Sequence, residues 1–281
     1  MTRPLDDLTH ALLEAARRVG AETADAMAVR GTSLSIDVRG GELEQAERAE
    51  GVDLGLRVLV GQRQACVSSS DERPETITAL AERAVAMARE APEDPYIGLA
   101  EPSQLVQNWD VAALELADDT SEPAPEVLQE DARRAEAAAQ AVAGVTQVQS
   151  SSAGYSAREI YMAATNGFSG GYKRTDRALG CVAIAGEGSG MERDYDGDSR
   201  IFQADLRDAE DIGRTAGKRA VSLIGARKPR TGAYPVLFDE RIASSLIGHF
   251  LAASNGSAIA RGSSWLLNKL GEEVLPKGLS L

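Results

Sequence analysis

The chain has 281 residues, 43% of them hydrophobic, enough to bury a sizeable core in one large domain or two modest ones. A formal charge of −13 opposes phosphate backbones, and 4% aromatic residues provide no stacking platform, so direct nucleic-acid binding is excluded as an expectation. No run approaches the roughly 18 apolar residues of a membrane helix, and MTRPLDDLTHALLEAARR lacks the apolar centre of a signal peptide. A cytoplasmic protein without membrane contact is expected.

Asp6 to Val19 reads as an amphipathic helix with Leu8, Leu12, Ala15, Ala16 and Val19 on one face, ended by Gly20. Strands are predicted over Ala24 to Arg30 and Ser33 to Arg39, joined near Gly31-Thr32, then over Glu42 to Glu50, Val52 to Val60 and Arg63 to Ser69. A helix starting within Ser70 to Glu75 carries the stripe Ile77, Leu80, Ala81, Ala84, Val85 and Ala88. Ala91 to Pro125, acidic and broken by prolines, reads as a connector with a little structure around Trp109 to Leu116.

Glu126 to Ala143 is a predicted helix. Val145 to Ser156 and Ala157 to Thr165 look like paired strands, and Asn166-Gly167 is the sharpest hairpin signal, since both residues tolerate positive φ. Phe168 to Arg174, Ala178 to Glu187 and Met191 to Ser199 follow as strands, and Asp208 to Ile224 as a helix. Tyr234 to Asp239 reads as a buried strand, and Glu240 to Asn255 as an apolar helix. The fold expected is α+β: two layered domains of mostly antiparallel sheet packed against helices, the second incomplete. The segments are 1–92, a connector 93–125, a middle region 126–225 and a C-terminal segment 226–281.

Few constellations carry chemistry. Asp194 to Ser199 (DYDGDS) lacks the glutamate of a calcium loop at position twelve. Gly186 to Gly190 is neither phosphate-loop pattern and reads as a turn. Cys66 and Cys181 lie far apart in apolar runs, without metal-type spacing, and are expected buried and reduced. His10 is expected exposed, and no nucleophile elbow accompanies His249. Ser244 precedes His249 by five residues, about 140° around an ideal helix, so the two could share an ion only if the helix were distorted near Gly248. Arg261, beside Gly262, Ser263 and Ser264, could hold a carboxylate or a partner loop, or make a structural salt bridge.

Gly51 to Ser70, Ala164 to Phe168, Gly232 to Asp239 (GAYPVLFD) and Ala258 to Gly271, in this order along the chain, resemble the TldD/PmbA family, also described as modulators of DNA gyrase. The resemblance implies two branches that pair as a heterodimer. The TldD branch carries a His-Glu-x-x-x-His helix that binds zinc and activates water for peptide hydrolysis. The corresponding residues here are Ser244, Ser245 and His249: a serine stands for the first ligand and another for the base. The resemblance therefore implies the PmbA/TldE branch, a subunit without its own metal, with zinc in a TldD-like partner and unfolded peptide as substrate. It implies roles in peptide-antibiotic maturation and antitoxin turnover, and Arg261, Ser263 and Ser264 as contacts to peptide or partner. Alternatives are an active metallopeptidase with atypical ligands and a protein-binding modulator of DNA gyrase. Family members continue past Leu281, so a truncated C-terminal domain with unpaired strands and exposed apolar surface is expected.

Overall fold

The computed structural model describes residues 3–107 and 110–281. They fall into two compact units, Met1–Ala226 and Arg227–Leu281. Trp109, on which one expectation fell, lies outside the described residues; a single 3-10 turn, Ala112–Leu114, follows it.

The first unit is built on one six-stranded sheet. Its strands are β1 (Thr23–Arg39), β2 (Glu42–Val60), β3 (Arg63–Ser69), β4 (Val145–Ala164), β5 (Ser169–Ala185) and β6 (Glu192–Arg200), in the order β3-β2-β1-β4-β5-β6. Every neighbouring pair is antiparallel. The helices are α1 (Leu5–Arg18), α2 (Pro74–Glu90), α3 (Pro125–Gln140) and α4 (Ala209–Ser222). The α+β expectation holds, and segments 1–92 and 126–225 contribute to this one layer.

Period-two alternation explains the architecture. In β1, Ala24, Ala26 and Ala28 are buried, and so are Leu34, Ile36 and Val38, six residues on one face of one strand. The first three join Leu54, Leu56 and Val58 of β2 under Leu8 and Leu12 of α1 and Leu80 and Val85 of α2. The other three join Leu179, Cys181 and Ala183 of β5 under Leu128 of α3 and Ile212 of α4. Two helix pairs thus sit side by side on one face, and Arg30 and Thr32 mark a partly exposed waist between their cores.

Several strands are longer than the sequence suggests. Gly31-Thr32 is not a turn: β1 runs straight through it, as β2 runs through Gly51. Val145 to Ser156 and Ala157 to Thr165 do not pair with each other but form one strand, and β5 likewise joins two predicted pieces. The reason is conformational: Gly31 and Gly51 stay out of the positive-φ region, while Gly40, Gly41, Gly61 and Gly167, which do turn the chain, adopt it. Cys66 also departs from expectation: it is exposed, whereas Cys181 is buried, and both are free. Cys66 follows the buried Ala65 on edge strand β3, so alternation turns it away from the helices.

Three buried charged groups of this unit, Glu136, Arg177 and Asp196, have charged or backbone partners. Glu136, 3% exposed on α3, accepts from the backbone N–H of Gly40 at 2.6 Å and of Gly41 at 2.7 Å, tying the β1–β2 turn to the helix. Arg177, equally buried, donates to Asp131 at 2.6 Å and to the carbonyls of Gly154 and Ala178. Burial pulls the Arg177 pKa down, and Asp131 opposes that shift. Asp196 is held between Arg219 at 2.6 Å and Arg207 at 2.8 Å.

The second unit contains α5 (Glu240–Ser254) and α6 (Gly256–Ala260). The buried strand expected at Tyr234 to Asp239 is absent: the segment is irregular, and Leu237 is 97% exposed. A strand needs a neighbour for its backbone groups, and the described residues of this unit contain none.

Candidate functional site

α5 begins where Asp239 accepts from the backbone N–H of Arg241 at 3.0 Å. It runs unbroken through Gly248, so the distortion required to bring Ser244 and His249 together is not present. Ser244, Ser245 and His249 are all exposed. The Ser245 hydroxyl donates to the carbonyl of Ile242 at 2.6 Å, a bond within the helix that leaves its hydrogen directed at the backbone.

Asn255 then caps α6, its side chain accepting from Ser257 N at 3.0 Å and Ala258 N at 3.3 Å. Arg261 ends that helix and is exposed, and Gly262 takes a φ of 70°. The Ser263 hydroxyl donates to Ala258 O at 3.2 Å. The Ser264 hydroxyl donates to Ala253 O and accepts from Leu266 N at 2.9 Å, fastening the loop to the end of α5. Phe250 and Trp265 meet with ring centroids 6.4 Å apart. The structure thus puts Ser263 and Ser264 to local structural use and leaves the Arg261 guanidinium in solvent.

This donor set does not fit zinc. A structural or catalytic zinc site draws three or four ligands from thiolate, imidazole and carboxylate, and at these positions the chain offers one imidazole and two neutral hydroxyls, one of them bound to a carbonyl. Among the described residues, no group of three or more His, Cys, Asp or Glu is placed to hold a metal ion.

A second locus lies on the sheet face opposite the helices. There Arg158 of β4 stands directly across from Arg174 of β5 and, on its other side, across from Gly31 of β1. Both arginines are exposed, and neither has a carboxylate within ion-pair distance among the described residues. Sequence reasoning missed this pair: a two-residue Asn166-Gly167 turn would set Arg158 opposite Thr175, and the observed register, one residue different, sets it opposite Arg174.

A helix-covered antiparallel sheet followed by a capped helix bearing a single histidine defines an α+β protein. Three domain profiles of one family match it: PmbA/TldA metallopeptidase domain 1 over residues 24–88, the central domain over 118–224 and the C-terminal domain over 231–281. The chain belongs to the PmbA/TldD family. It is 30% identical over 250 residues to the metalloprotease PmbA of Escherichia coli O157:H7, covering 89% of this chain and 55% of that one. A Bacteroides thetaiotaomicron structure described as a modulator of DNA gyrase superposes with a TM-score of 0.86 at 24% identity, over 96% of this chain and 61% of that one. TldE from Thermococcus kodakarensis superposes with a TM-score of 0.69 at 18% identity, over 92% and 58%. The chain therefore spans a little over half the length of these relatives, and the two structures establish likeness of fold. Among the described residues, no helix is long and apolar enough to cross a membrane.

Proposed function

We propose that this chain acts as the non-catalytic, PmbA/TldE-type subunit of a cytoplasmic TldD/TldE-like zinc metalloprotease that cleaves unfolded peptides. The observation that carries this reading is the pair of hydroxyls at Ser244 and Ser245, on an unbroken, exposed helix where the catalytic branch needs an imidazole and a carboxylate. A neutral serine hydroxyl is a weak zinc ligand and cannot take a proton from water as a carboxylate does. In this reading zinc and the hydrolytic water belong to a TldD-like partner, and this chain helps enclose the peptide. Peptide-antibiotic maturation and antitoxin turnover are the processes it would serve.

The test is metal content and activity of the chain alone and mixed with a TldD-like subunit. Less than a tenth of an equivalent of zinc in the isolated chain, with peptidase activity only in the mixture, is the expected result. One equivalent of zinc that disappears in His249→Ala, with chelator-sensitive hydrolysis by the isolated chain, would overturn the reading in favour of a metallopeptidase with atypical ligands.

A further inference from the structure

We infer that Arg158 and Arg174 form a carboxylate-binding site for an extended peptide on the helix-free face of the sheet.

Like charges directly opposite in an antiparallel pair are destabilising, and the chain carries 43 acidic residues that could have relieved the repulsion. Several other arginines of the first unit are engaged with carboxylates: Arg57 with Asp25, Arg134 with Asp208, Arg177 with Asp131, and Arg207 and Arg219 with Asp196. On the helix face one register step away, Lys173 stands opposite Glu159, a favourable pairing. Among the described residues, Arg158 and Arg174 have no such counter-charge. Two guanidinium forks at neighbouring positions suit one carboxylate, which can accept from both.

Beside Arg158 the face drops into a groove of about 440 Å³ whose floor is Gly31 and Gly51, paired with each other across β1 and β2. The Arg158 side chain leans over Gly31: a Cβ there would lie 3.2 Å from Arg158 Cγ. Missing side chains on adjacent strands let another backbone approach closely. Farther along the same face, Val29 pairs with Ile160 and Ile160 with Tyr172, whose ring is exposed, so apolar side chains have a surface to lie on.

Glu50 and Asp53 also border the groove, and they would repel a polyanion while tolerating a single carboxylate on a neutral chain. A side-chain carboxylate and a free C-terminus offer the same chemistry. This site deepens the subunit reading above, on which it rests for peptide being the molecule presented here.

The experiment is calorimetric titration of the 281-residue chain with three unstructured decapeptides. The first has one central Glu and an amidated C-terminus, the second has Gln in place of Glu, and the third is the Gln peptide with a free C-terminus. Inorganic phosphate is titrated separately. The Glu peptide, the free-terminus peptide or both should bind at least tenfold more tightly than the Gln amide, and the stronger of the two names the source. Arg158→Gln with Arg174→Gln should abolish that tenfold preference while leaving the unfolding temperature unchanged or raised, since the repulsion is gone; a purely structural pair would lower it. Gly31→Val, which keeps both charges but crowds Arg158, should weaken binding severalfold. Equal binding of all three peptides, preference retained in the double variant, or tighter binding of phosphate than of any peptide overturns the site. Because zinc plays no part here, loss of this site with the metal result intact leaves the subunit reading standing. A zinc-loaded, active chain that still shows the peptide preference removes the subunit reading and keeps the site.

Discussion

Gly213→Ala is the sharpest test of how α3 and α4 pack. A Cβ on Gly213 would lie 1.9 Å from the carbonyl oxygen of Ala135 and 2.7 Å from its carbon. Both are backbone atoms, so no side chain can swing aside. Two effects compete. Alanine is favoured over glycine in a helix by about 1 kcal/mol, whereas overpacking a close-packed core costs about 1–3 kcal/mol, and more where backbone must move. Restoring ordinary contact requires the helices to part by roughly 1.5 Å, which loosens Ala132, Ala139, Ile212 and Ala216, all fully buried. The clash wins, with a net loss of about 2–4 kcal/mol, or roughly 5–15 °C in Tm for a domain of this size. Two other glycines calibrate the argument. At Gly217 a Cβ would meet Val142 Cγ2 at 2.9 Å and Ala139 O at 3.0 Å, so alanine there should cost less. At Gly248 nothing lies within 4 Å, so alanine should strengthen α5 by about 1 kcal/mol. Thermal melts followed by circular dichroism read all three. A wild-type Tm for Gly213→Ala, or a larger loss at Gly217 than at Gly213, would refute the packing argument.

Glu136→Gln should lower stability by about 2 kcal/mol, since an amide offers one acceptor where two backbone donors converge; urea unfolding with an unchanged m-value would show it. Cys66 should react with an alkylating reagent in the native state, whereas Cys181, its thiol pushed up to about 12 chiefly by burial, should react only after unfolding, so mass spectrometry should count one adduct and then two. The Arg134 guanidinium, helped by the N–H groups of Glu210 and Asp211, holds the Asp208 carboxyl below its usual pKa. A depressed carboxylate contributes stability above its unfolded pKa, near 3.9, and loses it as pH falls through the folded value. Asp208→Asn, which still caps α4, should therefore melt below wild type at pH 7 and converge with it below about pH 4. A constant gap across that range would show that the pair contributes no charge-dependent stability.

Much of the fold was legible because alternation and helical period are local. The α2 stripe from Ile77 to Ala88 and the span of β3 are as the sequence predicts. The errors cluster at glycines and at the C-terminal segment. Gly31 and Gly51 carry the same letter as Gly40 and Gly167, and only φ separates a glycine that turns the chain from one that continues a strand. Tyr234 to Asp239 has a strand's composition, but strand formation is decided by a partner that local pattern does not report. At the candidate site, the identity of Ser244, Ser245 and His249 was fully readable, whereas the hydroxyl bonds of Ser245, Ser263 and Ser264 depend on where nearby carbonyls point.

The two units differ in how their apolar surface is used, and that difference bears on function. In the first, leucines of α1 and α3 are fully buried against the sheet, so the strands that carry Arg158 and Arg174 are held by cores on their far side. A site on such strands is presented rigidly, and binding costs little ordering. In the second unit Ile242, Leu246, Ile247 and Leu251 of α5 are each at least two-fifths exposed, and Ala253 and Leu266 alone are buried among its described apolar residues. Hydrophobic burial contributes about 25 cal/mol per Å² removed from water, so α5 owes little to packing within its own unit and more to its Asp239 cap and apolar composition. A helix with that much uncovered apolar surface gains stability from whatever covers it.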